Sequence, residues 1–139
     1  MVVTFEGYLP KASNKLDGVW TIGYGHTSGV RPGMVVTQDE AYNLLVDDAE
    51  YLERKINGLG LSLNQSQFDA VGVLCYNIGF NAFRSSTLCG VIRKSPTANL
   101  VGECWKKWKY CKGKVLRGLE IRREKEYELY CSEYPSNGR

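Results

Sequence analysis

Two features of the chain have residue types suited to acid–base chemistry. The first is Glu6, set between Phe5 and Gly7 in an otherwise apolar start. A carboxyl group half-buried beside apolar side chains has its pKa raised by desolvation, so it can donate a proton near neutral pH. The second is the run Gly18-Val19-Trp20-Thr21-Ile22-Gly23-Tyr24-Gly25-His26-Thr27. Its glycines allow close approach of backbone or ligand, and the run brings Thr21, Tyr24 and His26 near one another. Taken singly, each signal is weak: a lone glutamate near a chain start is usually a solvated surface residue.

The elements that must position these residues are readable in outline. Residues 2–8 suit a short helix ending before Pro10, which cannot continue it. Residues 11–17 are polar and read as irregular. Val19, Trp20, Thr21, Ile22 and Tyr24 favour a strand. Arg31-Pro32-Gly33 reads as a turn before a short strand over 34–36, giving a small antiparallel sheet. Helix signals then dominate. Thr37-x-x-Glu40 is a capping box, and its helix stops at Gly58 and Gly60. Asn64-x-x-Gln67 starts a second helix that ends at Gly79, and Ser85 or Ser86 starts a third that closes at Ser95-Pro96. Residues 100–110 and 118–130 suit two more, and 135–139 a loose tail. Trp105 and Trp108 are three apart and fit one helix face, with core packing their default. Strand and helix segregate along the chain, so the fold class is α+β. The expected organisation is one domain over 1–139, with a β-rich lobe at about 11–36, a helical lobe at about 37–132 plus the N-terminal helix, and a cleft between them.

Composition narrows the function classes. The chain has 139 residues, 43% hydrophobic and 24% charged, as in a soluble single domain. No stretch reaches the roughly 18 apolar residues of a membrane helix, so no stable membrane insertion is expected. No signal peptide is visible, and a leader removed before residue 1 stays open. The five cysteines lack paired short spacings and read as reduced, mostly buried thiols. With His26 the only histidine and no Cys-x-x-Cys, no metal site is expected. The net charge of +3 is uneven. Asp39, Glu40, Asp47, Asp48, Glu50 and Glu53 make one stretch acidic, and twelve Lys and Arg between Arg84 and Lys125 make another basic. A basic half attracts polyanions, so nucleic acid and a carboxylate-rich bacterial wall are both candidates beside a plain solvated face. No aromatic-rich nucleic-acid motif accompanies the charge, and nucleic acid is not expected as a partner.

Taken together, the motifs are specific. Phe5-Glu6-Gly7 and the 18–27 run resemble the phage lysozymes of glycoside hydrolase family 24. Further matches follow in order: Thr37-x-x-Glu40-Ala41, Leu63-Asn64-Gln65-x-Gln67-Phe68-Asp69-Ala70, Tyr76-Asn77-Ile78-Gly79, Ser86-Thr87-Leu88, Trp108, Gly118-Leu119 and Arg122-Arg123-x-x-Glu126. The resemblance covers about residues 3–130. It implies a lysozyme-like fold, a monomer without cofactor, peptidoglycan as partner, and hydrolysis of the β-1,4 bond between N-acetylmuramic acid and N-acetylglucosamine. It also implies action at the cell wall after export through a membrane pore made by a partner protein. Glu6 matches the general acid and Thr21 the threonine that holds the attacking water. Tyr76 and Asn77 match positions lining the cleft. An amide both donates and accepts, so Asn77 suits an N-acetyl group or a sugar hydroxyl; a plain helix-end role before Gly79 is the other reading. His26 matches a structural histidine whose partner by resemblance is Asp48. Arg122 or Arg123 is expected either near Glu6 or solvated at the surface.

One position departs from the pattern. The family's aspartate lies six residues before the threonine, where this chain has Lys15; Asp17 follows two residues later. A carboxylate there normally activates the water or stabilises the oxocarbenium-like transition state, and an ammonium does neither well. Three readings follow: Asp17 takes the role, the enzyme works with Glu6 and Thr21 alone, or it is impaired and binds walls. A lytic transglycosylase, which needs one acid and no water, is the remaining alternative.

Overall fold

The first strand forms where the sequence suggests an irregular segment. The computed structural model describes residues 7–15, 18–111 and 113–132. In it β1 (Leu9–Ser13) pairs antiparallel with β2 (Thr21–Gly23), with Leu9 opposite Gly23, Ser13 opposite Thr21 and a register shift between. Composition hides β1 because backbone pairing makes it: Ala12 N–H donates to Met34 C=O and Val36 N–H to Pro10 C=O, both at 2.9 Å. Pro10 is tolerated because only its carbonyl is needed. The expected strand over 34–36 is reduced to a single bridge from Val35 to Lys11. The expected N-terminal helix does not include Gly7 and Tyr8, and its remainder lies outside the described residues.

Six helices follow among the described residues: α1 (Gln38–Asn57), α2 (Gln65–Ile78), α3 (Phe80–Arg84), α4 (Thr87–Lys94), α5 (Asn99–Lys106) and α6 (Arg117–Cys131). The architecture is α+β, with the β1–β2 sheet ahead of the helices in the chain. Both capping boxes form. Thr37 N–H donates to Glu40 Oε1 at 2.8 Å and Glu40 N–H to Thr37 Oγ1 at 3.1 Å. Asn64 N–H donates to Gln67 Oε1 at 2.9 Å and Gln67 N–H to Asn64 Oδ1 at 2.8 Å. The Thr37 hydrogen bonds hold the Glu40 carboxyl below its ordinary pKa. A depressed folded pKa contributes stability above the unfolded value of 4.5 and loses it as pH falls through the folded one. Separately, Thr37→Ala removes the hydroxyl that accepts from Glu40 N–H and is expected to destabilise by about 1 kcal/mol, the usual value of a lost N-cap, read by denaturant midpoint.

Later elements differ in extent from the sequence expectation. α5 stops at Lys106, and the chain then forms a hairpin, β3 (Tyr110–Cys111) with β4 (Lys114–Val115), closed by Leu116 N–H to Lys109 C=O at 2.9 Å. Trp105 is fully buried within α5, whereas Trp108 lies beyond its end and is only half-buried, so the two do not share a helix face. The short α3 between Gly79 and Ser85 carries the buried Phe83, and Ser86 caps α4.

The chain divides into two compact units, Met1–Glu53 and Arg54–Arg139, with the boundary inside α1. The first has Ala12, Ile22, Tyr24, Ala41 and Leu45 as core, and the second is built around Leu74, Phe83, Ile92, Val101 and Trp105. Gly23 lets β2 meet α1: it has φ +64°, and a Cβ there would sit 3.0 Å from Ala41 Cβ. All five cysteines are free, with Cys75, Cys89 and Cys104 buried. No helix among the described residues is long and apolar enough to cross a membrane.

Candidate active site

Thr21 opens β2 and is partly exposed. Its hydroxyl donates to the Val19 carbonyl at 3.0 Å. The one hydroxyl proton is thereby used, and the oxygen's lone pairs face other partners only as acceptors. Such an oxygen can orient a water by accepting one of its hydrogens. Upstream, Gly18 N–H donates to Asn14 C=O at 3.0 Å, and Gly18 has φ +83°, a conformation glycine adopts without strain. A main-chain hydrogen bond thus ties Gly18 to Asn14. Lys15 is exposed, its N–H 3.3 Å from Ser13 Oγ. Glu6 and Asp17, the expected acid and the shifted carboxylate, lie outside the described residues.

His26 is fixed from two sides. Its backbone exchanges two 2.9 Å hydrogen bonds with Ile22, and its ring Nδ1 is 2.8 Å from Asp48 Oδ2 on α1. A carboxylate only accepts, so Nδ1 carries the proton. The histidine–aspartate partnership implied by the resemblance is present, and its geometry is that of a brace between the 22–26 turn and α1. Tyr24 is braced likewise, accepting from Gln38 Nε2 at 3.2 Å.

The second unit holds the other expected residues on two helices. Tyr76 and Asn77 lie in the last turn of α2, which Gly79 ends at φ +94° with its N–H on Cys75 C=O at 2.8 Å. Arg122 and Arg123 lie on α6. Of the two readings of Arg122 or Arg123, solvation at the surface does not hold, since Arg123 is fully buried and Arg122 is 7% exposed, and an approach to Glu6 lies outside the described residues. Glu126, one turn further on, compensates both. Arg123 Nε is 2.9 Å from its Oε1 and Nη2 3.0 Å from its Oε2, while Arg122 Nε is 3.5 Å from Oε2. Trp105 Nε1 also donates to Oε1, at 3.0 Å. Burial lifts the Glu126 pKa above its ordinary value, and Arg123, the Trp105 hydrogen bond and Arg122 pull it back. From this cluster Arg123 Nη2 reaches Asn77 Oδ1 at 2.8 Å.

Thr21, His26 and Asp48 therefore belong to the first unit, and Tyr76, Asn77, Arg122 and Arg123 to the second. Sequence reasoning gave no role to Glu126 and read Trp105 only as core. The i, i+3 and i, i+4 spacing of Arg123 and Arg122 to Glu126 was the available signal. No cluster of three or more His, Cys, Asp or Glu side chains suited to a metal occurs among the described residues.

Comparison with known proteins agrees on one family. The model of the family described as phage lysozyme matches residues 3–126. An endolysin of Bacillus phage PZA is 38% identical over 99% of this chain and 54% of its own length. An endolysin of Acyrthosiphon pisum secondary endosymbiont phage 1 is 34% identical over 94% of this chain and 92% of its own. Among solved structures, the muramidase domain of SpmX from Asticaccaulis excentricus superposes with a TM-score of 0.83 at 34% identity, covering 95% of this chain and 92% of that one. The chain spans about half the length of the two Bacillus phage endolysins it matches.

Proposed function

Since this chain belongs to the phage lysozyme family, we propose that it is a peptidoglycan-lytic muramidase acting at the bacterial cell wall. It would cut the β-1,4 bond between N-acetylmuramic acid and N-acetylglucosamine, without cofactor and as a monomer. The observation that carries this reading is the family match across residues 3–126, and the acceptor-only Thr21 hydroxyl supports its hydrolytic form.

In this mechanism Glu6 protonates the glycosidic oxygen as the bond to the sugar's anomeric carbon breaks. Water then adds to that carbon from the opposite face, which inverts the configuration. Thr21 orients the water by accepting one of its hydrogens. The water's other proton goes to a carboxylate or to solvent; Asp17 is the carboxylate the sequence offers, because Lys15 stands at the family's aspartate position. The basic residues between Arg84 and Lys125, apart from the buried and compensated Arg122 and Arg123, favour approach to the wall's carboxylates.

Mass spectrometry of digested peptidoglycan tests the reading. Reducing muramic acid ends that take up ¹⁸O from labelled water are expected. Anhydro-muramyl ends would instead make the chain a lytic transglycosylase. Pelleting with walls and no loss of turbidity would make it a wall-binding protein.

A further inference from the structure

We propose that the β3–β4 hairpin and the first turns of α6 form a surface that adsorbs to an anionic lipid bilayer. This goes beyond the lytic reading, since it concerns a second partner and a different face of the chain.

Charge is the first observation. Between Glu103 and Glu120 the chain carries Lys106, Lys107, Lys109, Lys112, Lys114 and Arg117, and no Asp or Glu. Lys106, Lys107, Lys114 and Arg117 are exposed. Two of them have neighbours: Lys106 Nζ lies 5.5 Å from the centre of the Tyr127 ring, and Arg117 Nη1 is 3.7 Å from Glu120 Oε1. The segment is a concentrated positive patch, and it attracts anions over distance.

The second observation is apolar surface in the same place. Tyr110, Val115, Leu116 and Ile121 are 56%, 49%, 46% and 37% exposed. Tyr110 and Val115 are cross-strand partners, so their side chains share one face of the hairpin. Leu116 N–H donates to Lys109 C=O and continues the pairing by one step, and Lys109 Nζ lies 5.9 Å from the Tyr110 ring centre. Arg117 and Ile121 are four apart on α6 and therefore adjacent on its surface. Cations and apolar groups are thus interleaved rather than segregated.

That mixture selects the partner. A hydrophilic polyanion would pair with the cations and give nothing to Val115, Leu116 or Ile121. An anionic bilayer takes both: lipid phosphates meet the ammonium groups, aliphatic side chains reach the acyl boundary, and tyrosine suits the headgroup level. Lysine stems are apolar and let the charged ends reach back to the phosphates. The contact is adsorption, because no described helix is long and apolar enough to cross a membrane.

The test is co-sedimentation of the full chain with phosphatidylcholine vesicles made with and without phosphatidylglycerol. The unaltered chain is expected to sediment with the anionic vesicles and to stay in solution with the neutral ones. Lys107→Gln combined with Lys114→Gln is expected to weaken partitioning about 25-fold, at roughly fivefold per charge. Tyr110→Thr combined with Leu116→Ser is expected to weaken it about tenfold, while the salt needed to elute this variant from a heparin column stays that of the unaltered chain. Threonine keeps a strand preference, and serine suits the N-cap position that Leu116 holds on α6; circular dichroism checks that the fold is kept. Failure of the unaltered chain to sediment with anionic vesicles overturns the proposal, and so does equal sedimentation with both kinds. Undiminished sedimentation of the folded apolar variant also overturns it and makes the patch one for hydrophilic polyanions. No arm reads lysis, so the outcome is separate from that of the muramidase reading.

Discussion

Glu6→Gln is expected to remove lysis of stripped cell walls, a fall of about 10²–10⁴-fold or more in rate. A glutamine amide keeps the size of the side chain but has no proton to give a leaving oxygen. The glycosidic bond breaks only as that oxygen is protonated, so no other group in the proposed mechanism compensates. A turbidity assay at fixed wall concentration reads the loss. Two companion variants locate the second carboxylate. Asp17→Asn lowers the rate if Asp17 serves the water and is silent if the enzyme works without it. Lys15→Asp raises the rate if the ammonium at the family's aspartate position limits the enzyme. Glu6→Gln with undiminished lysis would end the assignment of Glu6 as the acid.

The largest expected loss of stability comes from Glu126→Ala. Removing this carboxylate leaves Arg123, fully buried, and Arg122, 7% exposed, without their shared counter-charge. Breaking a buried ion pair by deleting one partner costs about 3–5 kcal/mol, because the surviving charge stays buried without its counter-charge. It also orphans the Trp105 N–H, now 3.0 Å from Oε1. Glu126→Gln is a milder case: its oxygen can still accept from Trp105, but its amino group faces arginine donors. The control is Glu120→Ala, which breaks the exposed Arg117–Glu120 pair at 3.7 Å. That change is expected to cost at most about 1 kcal/mol. Urea denaturation of the three variants gives the comparison, and equal midpoints for Glu126→Ala and Glu120→Ala would contradict the buried-cluster account.

What could be read from the sequence was mostly what is local. The Thr37–Glu40 and Asn64–Gln67 boxes depend on residues three apart, and both form as expected. Gly79 and Ser95 end their helices where local chemistry says they should. β1 was not legible, because Pro10, Lys11 and Ser13 carry no strand pattern and the strand exists through its partners at Thr21–Gly23 and 34–36. The β3–β4 hairpin was lost for a similar reason, its two-residue strands being too short to show a period. At the candidate site the fault was one of burial. Arginines in a highly charged segment look solvated until a carboxylate one turn away, an indole and an amide 46 positions distant converge on one of them. Nothing in spacing alone announces the last of these.

The hydrogen bond from Gly18 N–H to Asn14 C=O is made by main-chain atoms alone, so it does not depend on which side chain stands at position 15. Exchange of the exposed Lys15 for a carboxylate is therefore expected to leave folding stability within about 0.5 kcal/mol of the unaltered chain. A change of charge at that position is then open to substitution without repacking elsewhere.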